Sequence, residues 1–374
     1  MWRLWFLVVA AVTGCTPREE APSSTPTGLR YLGGSADAGF IRAVTPREFV
    51  FPADHASHPE YQTEWWYFTG NLTAENGRHF GFELTFFRYA LAPPTRGEAS
   101  ASAWRSNQAW LAHFAITDIA AGRFHTAERR SRQALELAGA KADPLRVWVE
   151  DWWLASSGGP ATFPLRLNAR DGQIGLALEL SSVQSPVAHG ERGLSRKGAA
   201  TGNASYYYSV PRLETRGTLD IDGERFFVEG LTWMDREWST SSLEPGIVGW
   251  DWFALHLSDG GSLMFYRLRT AEGESSPFSG GTWVHADGNR VTLNAGDVSL
   301  TAREYWHSNA TGSRYPISWR FLVRNASLDL ELRPYLRGQE LDLSVRYWEG
   351  AIRGEGQGPD GRLATEGYLE LTGY

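Results

Sequence analysis

The sequence is poor in cysteine, with one residue among 374, and basic residues do not outnumber acidic ones. A single cysteine excludes an intramolecular disulfide framework of the kind that holds small secreted domains together. The formal net charge is −7 and the pI about 5.8. Because no basic stripe is present to neutralise phosphates, we expect no nucleic acid among the partners.

Long apolar runs are also missing, apart from a short one near the N-terminus. Residues 4–12 are apolar but too few to span a bilayer, as in a signal peptide. Val12-Thr13-Gly14-Cys15 then resembles a bacterial lipobox, in which Cys15 would be lipidated. We therefore expect a signal peptide over 1–15, a flexible linker rich in Pro, Ser and Gly over 16–45, and a lipid anchor in the cell envelope, on the periplasmic face of a bacterial membrane.

Signals for cofactors are missing as well. The sequence has no His-x-x-x-His or Cys-x-x-Cys spacing, which argues against zinc, and no glycine-rich phosphate loop. It also has no Gly-x-Ser-x-Gly elbow, so a serine hydrolase is not indicated. We expect neither a metal nor another cofactor.

Aromatic residues are abundant, with 17 Trp, 18 Phe and 14 Tyr. They favour strands and binding surfaces that are apolar at one end and polar at the other. Apolar and polar residues alternate over short segments that end at Gly, Asn or Asp, and 80–86 is typical of a half-buried strand. The sequence therefore predicts an all-β protein of sandwiches or barrels, with 127–142 as the best candidate for a helix.

A dense aromatic segment, Glu64-Trp65-Trp66-Tyr67, stands at the start of the predicted strands. Adjacent Trp residues on a strand put one ring on each face of a sheet, so either both faces are covered or one ring lines a cavity. The pattern recurs at Trp250-Asp251-Trp252-Phe253, and in both copies a Leu follows the first Trp by seven positions. Two similar β units in tandem are the simplest interpretation.

A second constellation, 233–241, places Asp235, Arg236 and Glu237 between two indoles. Such a cluster suits either a proton donor with a raised pKa or a structural ion pair that closes one unit onto the next. Glu64, beside its two Trp residues, has the same two interpretations.

Together these motifs resemble the AttH and carotenoid 1,2-hydratase superfamily, over roughly residues 45 to 374. The matching segments are His58-Pro59-Glu60-Tyr61, Glu64-Trp65-Trp66-Tyr67, Tyr206-Tyr207-Tyr208-Ser209 and Asp235-Arg236-Glu237-Trp238-Ser239. The resemblance implies two tandem lipocalin-like antiparallel β-barrels, 46–240 and 241–374, with an apolar cavity near their junction. A barrel of this type can hold one small apolar ligand.

The resemblance also implies a chemistry. Hydratases of the superfamily add water across a terminal isoprenoid double bond, which needs a proton donor and rings that shelter a carbocation. Their His-x-Trp and Tyr-x-Asp pairs correspond here to Arg236-Glu237-Trp238 and Tyr266-Arg267-Leu268. The Trp and Tyr remain, but the His and Asp do not. Carotenoid hydration is therefore in doubt, and Asp235 or Glu237 would have to supply the acid.

Three functions fit the sequence. The first is a membrane-tethered carrier that binds a lipid or isoprenoid in an aromatic cavity. The alternative is an enzyme of hydratase or isomerase type, with Asp235, Glu237 and Tyr266 as catalytic residues. The third is a protein that binds or hydrolyses carbohydrate. The candidate ligand-binding residues are Glu64, Trp65, Trp66, Tyr67, His113, Tyr206, Tyr208, Arg236, Trp238, Trp250 and Trp252.

Overall fold

The structure, a computed structural model, describes most of the chain after the predicted linker. The described ranges are 39–94, 105–157, 162–182, 184–240 and 243–374. The predicted signal peptide, Cys15 and residues 16–38 lie outside the described residues. The end of the predicted linker packs on the protein, since Ala43 is buried in the first core. In the described ranges no helix is both long and apolar enough to cross a membrane.

Two antiparallel sheets account for nearly all of the regular structure, and the only helical segments described are the 3-10 turns Ala53–His55 and Arg324–Ala326. The strands of the first sheet are β1 Thr63–Ala74, β2 His79–Ala90, β3 Gln108–Asp118, β4 Arg123–Arg132, β5 Ala138–Ala142, β6 Leu145–Val149, β7 Trp152–Ser156, β8 Leu165–Asp171, β9 Ile174–Ser182, β10 Val187–Ala188, β11 Leu194–Arg196, β12 Ala204–Ile221 and β13 Glu224–Ser239. The strands of the second sheet are β14 Ile247–Leu257, β15 Ser262–Thr270, β16 Gly280–Val284, β17 Arg290–Asn294, β18 Val298–His307, β19 Arg314–Val323, β20 Leu328–Pro334, β21 Glu340–Asp342, β22 Arg346–Gly358 and β23 Gly361–Thr372.

Each sheet curls around its own apolar core. The first has the order β4-β3-β2-β1-β13-β12-β9-β8-β7-β6-β5 and nearly closes into a barrel. Phe114 of β3 meets Trp152 of β7 across its interior, with ring centroids 5.6 Å apart. The second, β17-β16-β15-β14-β23-β22-β20-β19-β18, forms a half-barrel. The predicted all-β fold of tandem lipocalin-like barrels is confirmed.

The internal repeat occupies equivalent places in the two sheets. In each sheet the repeated segment begins the first hairpin, β1–β2 or β14–β15, and its first strand also pairs with the last strand of that sheet. Phe68 and Phe253, which are in register in the sequence repeat, are fully buried in the two cores. The aromatic pattern therefore marks the same structural position twice.

The helix predicted over 127–142 is wrong. The segment belongs to β4 and β5, which are joined by a turn in which Leu135 and Glu136 have φ of 52° and 57°. Positive φ at two successive residues interrupts a right-handed helix. Because Arg129 of β4 lies over the Trp152 ring, at 4.7 Å, the segment is used as one side of the barrel.

The expectation that 80–86 is half-buried is also wrong, because both faces of β2 are covered. Glu83 and Thr85, on the face away from the first core, are fully buried. The second sheet packs on this face so closely that a Cβ at Gly81 would lie 2.6 Å from the Ala351 Cβ. The contact between the sheets encloses the candidate site.

Candidate active site between the two sheets

Strands β1, β12 and β13 present alternate residues to two different environments. Trp66 and Trp238 point into the first core, whereas Trp65 and Tyr207 belong to the aromatic cluster at the second sheet. In the strand register Trp65 lies opposite Glu237, which lies opposite Tyr207. Partners in adjacent antiparallel strands share a face, so these side chains lie together on the side of the second sheet.

A cavity of about 130 Å³ lies between the sheets, large enough for a small apolar group. The rings that line it are Trp65, Tyr67, Phe87, Tyr207, Trp250, Trp252, Tyr266 and Tyr347. The polar residues that line it are Lys197, Ser205, Asp235, Glu237, Ser239, Glu370 and Thr372. The site is thus an aromatic chamber with several ionisable groups in its wall.

Asp235, which the first sheet contributes to the cavity wall, is a buried carboxyl group with a strongly raised pKa. It accepts hydrogen bonds from Trp233 Nε1 at 2.7 Å, from Tyr207 Oη at 2.5 Å and from the Ser209 hydroxyl. Trp252 of the second sheet donates in turn to Tyr207 Oη at 3.0 Å. Burial raises the pKa of Asp235 to about 7, although these hydrogen bonds oppose the shift. The group can therefore hold or release a proton near neutral pH.

Glu237 is held by a cation that also contacts an aromatic ring. Lys197 Nζ lies 3.4 Å from Glu237 Oε1 and 3.7 Å from the Tyr266 ring centroid. Burial alone would lower the pKa of Lys197, but Glu237 and Tyr266 raise it above its usual value. Ser195 Oγ lies 2.9 Å from Tyr266 Oη, and this hydrogen bond helps to fix the ring. This part of the cavity wall therefore holds two opposite charges, Lys197 and Glu237, that pair with each other.

The second sheet adds two buried carboxyl groups whose pKa values are raised. Trp250 Nε1 donates to Glu370 at 2.8 Å, yet burial raises the pKa of Glu370 to about 8. Glu349 accepts from Tyr67 Oη at 2.6 Å, and burial together with Glu370 raises the Glu349 pKa well above its usual value. Near pH 7 Glu370 is therefore mostly neutral and adds little charge to the cavity wall.

Glu64, Trp66, Arg236 and Trp238, all candidates from the sequence, do not line the cavity. They lie on the opposite face of β1 and β13, in the first core. Arg236 Nη2 donates to Glu64 at 2.5 Å and its guanidinium lies 3.8 Å from the Trp66 ring. Burial alone would raise the pKa of Glu64, but Arg88 and Arg236 hold it well below its usual range. Glu64 is therefore a permanently ionised partner in a buried ion network.

Tyr206, Tyr208 and His113 also lie outside the cavity lining. Tyr206 and Tyr208 face the first core, because the strand alternation turns Tyr207 the other way. His113 lies between the sheets, with Nδ1 2.6 Å from Tyr347 Oη, so it supports a ring of the cavity from behind. Burial lowers its pKa.

The structure brings together half of the candidates and adds others that the sequence reasoning missed. The candidates in the cavity wall are Trp65, Tyr67, Asp235, Glu237, Trp250, Trp252 and Tyr266. Tyr207 could have been found, since period-two alternation separates it from Tyr206 and Tyr208. Lys197 comes from a loop and Glu370 from the last strand, and neither stands in a motif that would have indicated it. In the part of the chain that the structure describes, no group of three or more His, Cys, Asp or Glu is placed to hold a metal ion.

Solved structures resemble this chain over most of its length. A protein assigned to AttH from Nitrosomonas europaea is 32% identical to this chain, with a TM-score of 0.78. The structural match covers 90% of this chain and 100% of that protein. Kievitone hydratase from Nectria haematococca is 16% identical, with a TM-score of 0.66 over 90% of this chain and 98% of the other. The similarity to kievitone hydratase shows a shared fold and nothing more.

Curated relatives are more distant and match in part. Dehydratase asqC of Emericella nidulans is 24% identical over 162 residues, 41% of this chain and 44% of that protein. Kievitone hydratase of Fusarium solani subsp. phaseoli is 21% identical over 209 residues, 54% of this chain and 57% of that protein. The chain thus spans about half the length of the curated relatives it matches. The family model described as AttH-like matches residues 42–374, and this chain belongs to the AttH-like family.

Proposed function

We propose that this chain is an enzyme of the hydro-lyase type, which adds water to, or removes it from, an apolar substrate in the cavity between the sheets. The observation that carries the proposal is a buried carboxyl group, Asp235, in the wall of an aromatic chamber. Distant relatives named a dehydratase and a hydratase support this proposal over a carrier. Binding of a lipid cargo stays a prediction.

The chemistry follows from the groups in the cavity wall. Neutral Asp235 donates its proton to one alkene carbon, and the adjacent carbon becomes a carbocation. A water molecule then forms the C–O bond and gives its extra proton to the Asp235 carboxylate, which restores the acid. Dehydration is the reverse, and neither direction needs an oxidant or reductant. The faces of Trp65 and Trp252 would stabilise the cation by cation–π attraction.

Glu237 and Tyr266 have supporting roles in this proposal. Glu237, fixed by Lys197, presents carboxylate oxygens that can orient the attacking water. Tyr266, fixed by Ser195, forms the ring beneath Lys197 and limits where the water can bind. Loss of a correctly placed water lowers the rate more than it lowers substrate binding.

The test is incorporation of labelled oxygen. Terpenoid alkenes and prenylated phenols are incubated with the protein in ¹⁸O-labelled water, and the alcohols are analysed by mass spectrometry. Asp235→Asn should lower turnover by about 10²- to 10⁴-fold, the usual contribution of a general acid. Asp287→Asn, at an exposed turn, is the matched control and should leave turnover unchanged. Wild-type turnover in Asp235→Asn, or no labelled alcohol from the whole panel with wild type, would overturn the proposal.

We also propose that the protein is exported and anchored to a membrane through Cys15. Support comes from the lipobox-like segment Val12-Thr13-Gly14-Cys15. Expressed in a bacterium fed a labelled fatty acid, the wild type should carry label and sediment with membranes. Cys15→Ser should lose both properties. A wild-type protein without label would contradict the anchor and leave the enzymatic proposal untouched.

A further inference from the structure

A line of buried hydrogen bonds runs behind Asp235, away from the cavity. Asp235 is bonded to the Ser209 hydroxyl, and Ser209 Oγ lies 2.6 Å from His189 Nε2. The other ring nitrogen, His189 Nδ1, lies 3.0 Å from Thr282 Oγ1. All four side chains are buried. The line begins in the first sheet and ends in the second.

Each member of this line is positioned by the backbone. Ser209 lies opposite Asp235 in the register of β12 and β13. His189 directly follows β10, and its backbone N–H donates to the Tyr207 carbonyl at 3.0 Å. Thr282 is the central residue of β16 and lies opposite Thr292 of β17. Since β17 is mostly exposed, the line leads from the buried acid to the edge of the second sheet.

The hydrogen-bonding capacity of these groups allows two complementary arrangements. When Asp235 is protonated, it donates to Ser209, Ser209 donates to His189 Nε2, and His189 Nδ1–H donates to Thr282. When Asp235 is ionised, every proton in the line is shifted by one position, and Thr282 donates to Nδ1. Hydroxyls and a neutral imidazole each have one donor and at least one acceptor, so each bond of the line joins a donor to an acceptor in both arrangements.

The electrostatic environment keeps His189 in the neutral form that the line requires. Burial lowers the pKa of His189 to about 3, and the positive charges of Lys197 and Arg290 act in the same direction. The Tyr207 ring packs against the imidazole, with ring centroids 4.4 Å apart. A neutral ring with one donor and one acceptor nitrogen can pass a proton through without becoming a stable cation.

We propose that Ser209, His189 and Thr282 form a proton wire that exchanges the proton of Asp235 with solvent at the edge of the second sheet. Protonation of Asp235 consumes one proton at Thr282, and each O–H or N–H bond that breaks is replaced by one at the next atom. The inference rests on the proposed role of Asp235 and adds the route by which that acid exchanges its proton. Ser209 is not proposed as a nucleophile, because it does not line the cavity.

The test measures proton exchange at Asp235 without substrate. The protein is mixed with deuterium oxide, and infrared difference spectra follow the band of the protonated carboxyl, identified by its loss in Asp235→Asn. Thr282→Val should slow the exchange at least tenfold, because valine has the shape of threonine but no hydroxyl. His189→Phe should do the same. Thr215→Val is the matched control: it removes a buried threonine hydroxyl elsewhere on β12 and should leave the exchange rate unchanged.

The outcomes separate this inference from the proposed function. Wild-type exchange rates in Thr282→Val overturn the wire, as does the absence of a protonated Asp235 band below pH 7. Slow exchange in Thr282→Val with no hydratase activity in any variant supports the wire and counts against the proposed function. If activity requires Asp235 but proton exchange is unchanged in Thr282→Val, the proposed function is supported and the proton wire is overturned. A His189→Phe variant that fails to fold leaves the isosteric Thr282→Val result decisive.

Discussion

Two buried carboxyl groups on neighbouring strands, Glu64 of β1 and Asp235 of β13, behave in opposite ways. Glu64 faces two guanidinium groups and stays ionised, whereas Asp235 meets only neutral donors and its pKa rises to about 7. The difference lies in their partners, since both groups are almost completely buried. A residue of the second kind can exchange a proton near neutral pH, and one of the first kind cannot.

The pH dependence of hydration should reflect Asp235. The acid must be protonated to donate, so kcat/KM should be constant below pH 7 and fall tenfold per pH unit well above it. Glu237 is one of the groups that raise the Asp235 pKa, so Glu237→Gln should shift the falling limb to lower pH. Initial rates from pH 5 to 9 check this. If the rate falls at the same pH in the wild type and in Glu237→Gln, Glu237 does not raise the pKa of Asp235.

Glu64→Gln should destabilise the protein without acting on the cavity. The variant leaves the buried guanidinium groups of Arg88 and Arg236 without a counter-charge, which typically costs about 3–5 kcal/mol. Urea denaturation measures the loss. Glu355→Gln, which removes an exposed ion pair with Arg362, is the control and should have no measurable effect. Equal stability of the two variants would argue against the network.

At the scale of elements, β1 and β2 over their central parts, and the C-terminal half of β13, have no solvent-facing side. One face packs in the first barrel and the other meets the second sheet. Close packing of two sheets demands a small residue where the backbones approach. Gly81 of β2 fills that role, with Ala351 Cβ and Tyr368 Oη 2.6 and 2.7 Å from the position of an added Cβ.

Gly81→Ala should therefore force the sheets apart. Overpacking of this kind typically costs about 1–3 kcal/mol, and turnover should fall because the two walls of the cavity belong to different sheets. Thermal denaturation and the labelled-oxygen assay measure the two effects. Gly296→Ala, where an added Cβ meets nothing within 4 Å, is the matched control and should be near neutral. A stable and fully active Gly81→Ala protein would show that the sheets are not tightly packed there.

At the scale of the whole molecule, the contact between the sheets buries several acids in their neutral form. Burial raises the pKa of Glu83 and of Glu370 to about 8, and raises that of Glu349 well above its usual value. Unfolding exposes these groups to water, where their pKa values return to about 4.5. The stability of the two-sheet arrangement is therefore linked to pH.

Stability should fall as pH rises from 6.5 to 8. In this window the unfolded chain has released the protons of these acids, whereas the folded protein still holds them, so each group lowers the unfolding free energy by up to about 1.4 kcal/mol per pH unit. Buried histidines oppose this less and less as pH rises above 6.5, because the unfolded chain then loses its imidazole protons and the folded protein holds none on these rings. Denaturant titrations at several pH values check the slope. Glu83→Gln should reduce it, and a flat profile would contradict neutral burial.

The strands and their tandem arrangement could be predicted because they depend on local pattern. Period-two alternation and the repeated Trp-x-x-Phe spacing both describe what neighbouring residues do, and strands formed where these patterns indicated them. The same local reasoning failed at 127–142, where two strands and a turn have a composition that also suits a helix. Asp235 and Glu237 were candidates because two acids between indoles are unusual in any strand.

The sequence by itself determined which side chains share a face, that the protein is all-β, and that its two units are alike. It did not determine which face would be covered, since alternation is equally consistent with water, a core or a second sheet on the other side. Only the tertiary structure separated Trp65 from Trp66 and Glu64 from Asp235. It also brought His189 to Thr282, 93 residues apart, because contacts between distant segments form only when the sheets pack.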